Sequence, residues 1–169
     1  MAQQQDSAVG PWTVRIYQPA DKAAVNRLYE EGLLLGQIDP RDTAADIDNI
    51  QEAYFGDARD CFWVAHAQGQ VIGTIGVAHE VENIAEVRRL RVDKAWQQNN
   101  VATDLIKAAL WHCRYKGYLK VVFASRFERT ATMDLFHRLG FHYTRARNVF
   151  DKELLEFYLD LYQQRKQEP

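Results

Sequence analysis

The sequence predicts an α/β fold, with a single layered domain and a ligand site near the middle of the chain. Segments with strand-like alternation are interspersed with segments of helical period, in the order strand, helices, strands, helix, strand, helix, strands. The length of 169 residues suits one domain, and a hydrophobic content of 47% is ample for a core. No repeat or linker interrupts the pattern. This order is typical of a layered sheet that binds its ligand at a switch in strand order.

The first half of the chain predicts one strand, two helices and a hairpin. The predicted segments are a strand at 13–17, a helix capped by Asp21, a helix capped by Asp42 or Thr43 with Ile47, Ile50 and Tyr54 facing inward, and hairpin strands at 61–67 and 71–77. Gly69 lies in the turn of this hairpin. The same reasoning continues into the second half.

The second half predicts alternating strands and helices. The predicted segments are a strand at 86–92, a helix from Asn100 that stops at Gly117, a strand at 120–124, a helix at 130–139 and a strand at 141–147. The segment 154–162 fits two patterns. Leu155, Tyr158 and Leu161 have helical spacing, whereas residues 157–161 alternate as in a strand.

The polar turn between the 86–92 strand and the following helix predicts an anion site. It consists of residues 96–100, and the sequence has no carboxylate between Asp93 and Asp104. The first N–H groups of a helix have no partner within the helix, and a phosphate fits among them.

These residues resemble the GNAT superfamily of acyl-CoA-dependent N-acetyltransferases. Residues 90–92, Leu-Arg-Val, match the family's aliphatic-x-Val triplet, and residues 97–102, Gln-Gln-Asn-Asn-Val-Ala, match its Gln/Arg-x-x-Gly-x-Gly/Ala turn, with Asn100 in place of the first Gly. In the family, the amides of that turn hold the pyrophosphate of coenzyme A. Residues 139–141, Leu-Gly-Phe, match the motif after the family's last helix. The resemblance covers 13–162 by element order and is specific from 86 to 141.

The resemblance implies a mixed, mostly antiparallel central sheet of about six or seven strands flanked by about four helices. It favours a strand at 154–162. A single acyltransferase domain is expected at 13–163, between a disordered N-terminal tail at 1–12 and a C-terminal tail at 164–169. The implied reaction is direct transfer of the acetyl group of acetyl-CoA to a primary amine of a small molecule or protein, without a metal.

The resemblance also implies a set of site residues. The cofactor-binding residues would be Leu90, Arg91, Val92, Gln97, Gln98, Asn99, Asn100, Val101, Ala102 and Thr103. Arg129 stands where the family has Asn, and its guanidinium is expected to reach a phosphate. A backbone N–H near Leu90 would stabilise the oxyanion. Glu86 is the candidate base, with an ion pair to Arg88 or Arg89 as the structural alternative. A bulge in this strand would change which side Glu86 faces. The alternate bases are Glu80, Glu82 and His79.

The position of the family's acidic tyrosine is occupied by Phe136, which has no hydroxyl. Substitutes are Tyr143, Tyr115, Ser125 or water, whereas His137 is expected on the surface. If Phe136 lies beside the thioester sulfur, a hydroxyl introduced there would point toward a wet cleft, whereas in the alternative Phe136 is part of the core and the hydroxyl would be buried without a partner. Together, Asn100 and Phe136 keep open a different class of function: a non-catalytic coenzyme A-binding sensor or scaffold.

Composition and charge narrow the remaining function classes. The net charge of −2 predicts no general attraction to nucleic acid or to an anionic membrane. The polar start shows no secretory signal, and two cysteines in apolar surroundings favour a reducing cytoplasm. Residues 30–60 carry nine acidic and two basic residues, whereas 84–147 carry thirteen basic and five acidic ones. This split fits a polyanionic cofactor on one half and an amine on the other, or two solvated faces. A homodimer is compatible with all of this.

Overall fold

The computed structural model describes residues 11–31, 42–126, 130–149 and 152–167. The strands are β1 (Thr13–Ile16), β2 (Cys61–Ala67), β3 (Gln70–Val81), β4 (Ile84–Val92), β5 (Lys120–Arg126), β6 (His142–Val149) and β7 (Lys152–Asp160). The helices are α1 (Lys22–Glu31), α2 (Ala45–Asp48), α3 (Ile50–Phe55), α4 (Val101–Tyr115), α5 (Thr130–Arg138) and α6 (Leu161–Gln167). Short 3-10 turns precede α1, at Pro19–Asp21, and follow β4, at Lys94–Trp96.

The seven strands form one sheet in the order β1-β2-β3-β4-β5-β7-β6. All neighbours are antiparallel except β4 and β5, which are parallel. The expectation of a mixed, mostly antiparallel sheet is therefore confirmed. The described residues contain six α-helices instead of about four. The expected second helix is divided at Asn49, whose φ of −128° and ψ of 53° interrupt the helical path, and α6 follows β7.

The sheet has a hydrophobic core on each face, and alternation along β2 separates them. Cys61, Trp63 and Ala65 join the core beneath α4, whereas Phe62 and Val64 join the core beneath α1, α2 and α3. Helix α4 packs closely because β3 has Gly73 under it. A Cβ at that position would come within 2.9 Å of a Leu105 methyl carbon.

The predicted elements agree closely with the observed ones in the first half. Strand β2 spans the predicted residues, and Ile47, Ile50 and Tyr54 are all buried. Strand β3 is longer than predicted and runs to Val81. The ambiguous segment 154–162 is a strand through Asp160 and then becomes helical.

Both chain ends contain ordered residues that the sequence assigned to tails. Trp12 is buried, and its Nε1 donates a hydrogen bond of 3.0 Å to Asp104 Oδ2. Residues 164–167 lie in α6, where Gln164 Oε1 accepts a hydrogen bond of 2.8 Å from Arg114 Nη2. The domain boundaries themselves stay a prediction. Within the described ranges, every helix is too short or too polar to span a bilayer.

Candidate active site

The central feature of the sheet is a gap between its two parallel strands. Strand β4 pairs with β5 only along Ile84–Glu86, opposite Lys120–Val122. Beyond Glu86, β4 continues to Val92 along β3, while β5 continues to Arg126 along β7. Strands that part in this way leave backbone N–H and C=O groups directed into the space between them. The gap is therefore suited to an extended ligand that can use those groups.

A β-bulge lies in the part of β4 that borders this gap. Thr74 of β3 pairs with Arg91, and Gly76 pairs with Arg88, so Ile75 faces both Arg89 and Leu90. Arg89 has a left-handed backbone with φ of +56°. The Thr74 hydroxyl donates a hydrogen bond of 2.8 Å to the Arg89 carbonyl oxygen and supports this conformation.

The bulge changes which residues of β4 face the α4 core. Ala85 and Val87 face that core before the bulge, and Leu90 and Val92 face it afterwards. Regular alternation would have placed Glu86 and Leu90 on the same side. The bulge places them on opposite faces, which resolves the orientation of Glu86 that the sequence left open.

Arg89 anchors the bulge to the acidic segment on the α1 face. Its guanidinium forms ion pairs with Asp42 and with Asp46, the latter at 2.6 Å, and lies 5.2 Å from the centre of the Tyr29 ring. The Arg89 guanidinium lowers the pKa of Asp42 to about 2. Charges from the basic and acidic parts of the sequence thus neutralise each other here.

Glu86 occupies the last β4 position that pairs with β5. Its side chain is 27% exposed, and Oε2 accepts a hydrogen bond from Arg88 Nε at 2.7 Å and lies 2.6 Å from Arg88 Nη2 in the ion pair. The ion-pair arrangement with Arg88 is therefore present. It involves one carboxylate oxygen and leaves Oε1 outside the pair.

The alternate bases lie farther from the gap. Glu80 and Glu82 are exposed near the turn between β3 and β4. His79 Nε2 is 2.9 Å from Arg59 Nη2, which donates to it and engages that ring nitrogen. Glu86 is thus the carboxylate placed where β4 and β5 separate.

The register also brings Tyr158 onto the face of the sheet that carries Glu86. Glu86 pairs with Val122, and Val122 pairs with Tyr158. In β7, Leu155, Phe157 and Leu159 face the α4 core, so Tyr158 faces the other way. Sequence reasoning missed this hydroxyl because 154–162 fitted both a helix and a strand. The alternation around Tyr158 was the available signal.

The turn before α4 presents the first N–H groups of the helix. Asp93 Oδ1 accepts a hydrogen bond from Ala95 N at 3.0 Å, and Asn99 N donates to the Trp96 carbonyl oxygen at 3.0 Å. Asn100 precedes the helix with φ of −81°, and its side chain caps none of the N–H groups. That angle is open to any residue, so glycine is not required here.

The predicted cofactor residues divide into a buried group and an accessible group. Leu90, Arg91, Val92 and Val101 are buried, Gln98, Asn99 and Asn100 are exposed, and Gln97, Ala102 and Thr103 are half-buried. Both groups flank the junction between β4 and α4. Arg129 lies outside the described residues.

Phe136, at the position of the family's tyrosine, is fully buried. Its ring stacks on Phe123 of β5 with centroids 3.8 Å apart and meets the edge of Phe141 at 5.0 Å. The expectation that a hydroxyl at this position would point into a wet cleft is wrong, because aromatic rings of the core surround the side chain.

The proposed substitutes for this acid lie elsewhere. Tyr115 is exposed and stacks on Trp111 at the outer side of α4, and Tyr143 is exposed on β6. The side chain of Ser125 lies outside the described set. His137 Nδ1 is 3.1 Å from the Phe141 carbonyl oxygen.

The other groups that could form a catalytic or metal site do not support one among the described residues. Burial raises the pKa of Cys61 to about 11 and that of Cys113 to about 12, so both stay thiols at neutral pH. No group of three or more His, Cys, Asp or Glu side chains within 11–31, 42–126, 130–149 and 152–167 could hold a metal ion. A depression of about 390 Å³ lies beside α1 and the β2–β3 turn, lined in part by Asp21, Arg27 and His66, and includes none of the predicted site residues.

Comparison with known families and sequences places this chain among acetyltransferases. Residues 19–141 match the model of the acetyltransferase (GNAT) family. N-acetylaspartate synthetase of Mus musculus is 28% identical over 133 residues, which are 78% of this chain and 44% of that protein. N-acetyltransferase 8B of Homo sapiens is 29% identical over 104 residues, 59% of this chain and 46% of that protein. The chain thus spans less than half the length of these relatives.

Solved structures share the fold. A GNAT-family acetyltransferase from Staphylococcus aureus Mu50 has a TM-score of 0.78 at 16% identity, covering 89% of this chain and 99% of that one. The structure of yncA from Salmonella typhimurium with its cofactor acetyl-CoA has a TM-score of 0.76 at 22% identity, covering 90% of this chain and 95% of that one.

Proposed function

Since the chain belongs to the acetyltransferase (GNAT) family, we propose that it transfers the acetyl group of acetyl-CoA directly to a primary amine. The observation that carries this proposal is the gap between β4 and β5, which leads along the bulged half of β4 to the first turn of α4. A long, extended donor with an anionic end matches a gap of this shape and chemistry.

The first turn of α4 would hold the pyrophosphate of the donor. The Asn100 side chain caps none of its N–H groups, and Ala102 adds little bulk. The nearby carboxylate of Asp104 accepts a hydrogen bond from Trp12, which belongs to the segment before β1 at the far edge of the sheet. Residues 97–103, with Leu90, Arg91 and Val92, therefore form the proposed cofactor site.

The acetyl group would lie beside the bulge, where an N–H near Leu90 can stabilise an oxyanion. The buried Leu90 side chain and the hydrogen bond from Thr74 to the Arg89 carbonyl fix this backbone. A hydrogen-bond donor that is already aimed at the oxyanion needs no rearrangement during the reaction. Such groups therefore contribute strongly to the rate.

Glu86 would take the proton that the acceptor ammonium must lose. Its Oε1 lies outside the Arg88 pair, so it can accept this proton directly or through one water. The amine nitrogen then attacks the carbonyl carbon and loses its second proton as the C–S bond breaks. The departing thiolate takes a proton from water or from Tyr158, and the second amine proton replaces the one given up there. The product is an amide, and the proton gained by Glu86 returns to solvent.

The acceptor is proposed only as a class, a primary amine on a small molecule or protein. The mouse relative is named for acetylaspartate synthesis, but this chain covers less than half of that protein. A cytoplasmic location remains part of the proposal and is supported by Cys61 and Cys113, which are buried and unpaired.

The decisive experiment follows thiol release from acetyl-CoA with a panel of amines. For the best amine, Glu86→Gln should lower kcat by about 10²–10⁴-fold, the usual contribution of a general base. The matched control is Glu156→Gln, which removes a carboxylate of similar burial from β7, where it pairs with Arg145. It should leave kcat within about twofold of the original, as expected of a residue outside the chemistry.

The alternative is a coenzyme A-binding sensor or scaffold, which the absence of a hydroxyl at Phe136 supports. In that case acetyl-CoA binds in calorimetry and no amine releases thiol. Equal kcat values for the Glu86→Gln and Glu156→Gln proteins would contradict the role of Glu86 while leaving acetyl transfer itself intact.

A further inference from the structure

The outward faces of α4 and α6, with the segment that joins α4 to β5, carry a group of large apolar side chains that the fold leaves exposed. Trp111 is 53% exposed, Tyr115 63%, Leu119 37% and Tyr162 50%. We call these four residues the aromatic surface. Each is a large side chain whose burial in an apolar or interfacial environment would be favourable.

Contacts within α4 and between α4 and α6 bring the elements that carry these residues together. The Trp111 and Tyr115 rings stack with centroids 5.4 Å apart and planes 5° from parallel. The Tyr162 N–H donates to the Leu119 carbonyl oxygen at 3.3 Å, and Arg114 of α4 donates to Gln164 of α6. All four residues therefore lie on or beside two helices that contact each other.

The charged side chains that lie against the rings of the aromatic surface are positive. Lys116 Nζ lies 5.7 Å from the centre of the Tyr115 ring, and Lys166 Nζ lies 4.7 Å from the centre of the Tyr162 ring. Lys107 and Arg114 are exposed on the same helix. The sequence has no Asp or Glu at 105–127 or at 161–167. An anionic partner would therefore meet no repelling carboxylate from these segments.

We propose that the aromatic surface binds peripherally to a membrane that contains anionic phospholipids. Trp and Tyr rings favour the boundary between headgroups and acyl chains, and neighbouring Lys and Arg side chains favour anionic headgroups. This binding goes beyond acetyl transfer. It also differs from the expectation based on the net charge of −2, because the acidic residues lie in other parts of the chain.

The same charges argue against a second copy of this chain as the partner. A two-fold interface would bring the aromatic surface against its own copy and gather Lys116 and Lys166 of both chains there, with no acid from 105–127 or 161–167 to offset their charge. Nucleic acid is also a poorer match. Bases stack on open ring faces, whereas Trp111 and Lys116 already lie against the Tyr115 ring.

Membrane binding would leave the proposed active site accessible. The first turn of α4 is about 20 Å from Tyr115 along the helix, at a rise of about 1.5 Å per residue. Glu86 faces away from α4, toward the opposite side of the sheet. The domain can therefore rest on a bilayer through the aromatic surface while the acceptor approaches from the other side.

The experiment measures binding to vesicles of phosphatidylcholine with and without phosphatidylserine, by co-sedimentation and tryptophan fluorescence. Trp12 and Trp63 are buried and Trp96 is half-buried, so the part of the blue shift and of the quenching by brominated lipid that is lost in Trp111→Ser/Tyr162→Ser reports on Trp111. We expect binding to the anionic vesicles that weakens as salt increases. Trp111→Ser/Tyr162→Ser should weaken it at least about tenfold, since two interfacial anchors are lost.

Two further variants separate the contributions. Tyr143→Ser removes an equally exposed ring from β6 and should change nothing, as a matched control. Lys116→Gln/Lys166→Gln should reduce both binding and its salt dependence. The proposal is overturned if the protein ignores anionic vesicles at low salt, or if Trp111→Ser/Tyr162→Ser binds them as well as the original. Binding of an RNA hairpin with the same dependence on Trp111 would also overturn it.

Discussion

The turn before α4 and the helix α5 both occupy positions that the family uses for function, and they respond differently to sequence change. The turn has Asn100 where a glycine is usual, yet its backbone forms with an ordinary φ of −81°. Helix α5 has Phe136 where a tyrosine is usual, and the ring lies fully inside the core. The first change leaves the proposed cofactor site in place, and the second removes a functional group.

The difference arises because one function uses backbone atoms and the other uses a side-chain atom. An anion site at a helix start uses backbone N–H groups, which every residue except proline supplies. A general acid uses one side-chain hydroxyl, which phenylalanine does not have. The comparison therefore predicts that side-chain size and charge near α4 matter more than the identity of a polar residue there. It also predicts that α5 responds to change mainly through stability.

The largest effect should come from adding bulk and negative charge at the turn. Ala102→Glu places a carboxylate beside the first N–H groups of α4, where it competes with the pyrophosphate and repels it. We expect acetyl-CoA affinity, measured by calorimetry, to fall by at least about 100-fold. Lys107→Ala changes the net charge by the same amount on the exposed side of α4 and should leave affinity nearly unchanged.

Circular dichroism and melting temperature would show that the Ala102→Glu protein is folded. Tight binding of acetyl-CoA to that folded variant would move the cofactor site away from α4.

The next effect should come from α5 and should appear in stability. Phe136→Tyr adds a hydroxyl to a ring that packs against Phe123 and Phe141. Burying an unsatisfied hydroxyl costs about 1–3 kcal/mol, so the melting temperature should fall by several degrees. Turnover at a temperature where the protein stays folded should not rise. A faster enzyme of undiminished stability would show instead that the position reaches the thioester after all.

A smaller effect should come from the bulge, where one side chain supports the backbone. Thr74→Val keeps the shape of a buried side chain and removes its hydrogen bond to the Arg89 carbonyl. Losing such a bond costs about 1 kcal/mol in urea unfolding. Because the bulge would hold the oxyanion donor, kcat should fall while acetyl-CoA affinity stays the same. An unchanged kcat would separate the bulge from the chemistry.

The sequence predicted the parts of this fold that local pattern determines. Strand β2, the buried Ile47, Ile50 and Tyr54, and the strand–turn–helix around α4 all follow from periodicity and turn residues. It could not predict that Asn49 would divide a helix or that Trp12 would be buried. Those outcomes depend on long-range contacts, such as the hydrogen bond from Trp12 to Asp104.

In the candidate site, too, local features could be predicted from the sequence and long-range ones could not. The motif predicted which residues surround the turn, because the motif itself is local. The orientation of Glu86 depended on a bulge opposite Ile75, which is set by pairing with β3. Tyr158 lies in the same row of the sheet as Glu86 because Val122 of β5 pairs with both residues. Pairing between distant strands is not encoded in the spacing of one segment.

The smallest effect should come from Asn100→Gly, which tests whether the turn depends on backbone alone. Asn100 has an ordinary φ, is exposed, and its side chain caps no N–H group, so glycine removes little. Glycine in place of asparagine at a helix start costs only a few tenths of a kcal/mol, which urea unfolding can measure. Acetyl-CoA affinity should stay the same or increase, because the pyrophosphate gains space. Asn100→Ala serves as the control, since it removes the amide without adding flexibility. If both variants lost affinity by tenfold or more, the Asn100 amide itself would contact the cofactor, and the turn would depend on a side chain as α5 does.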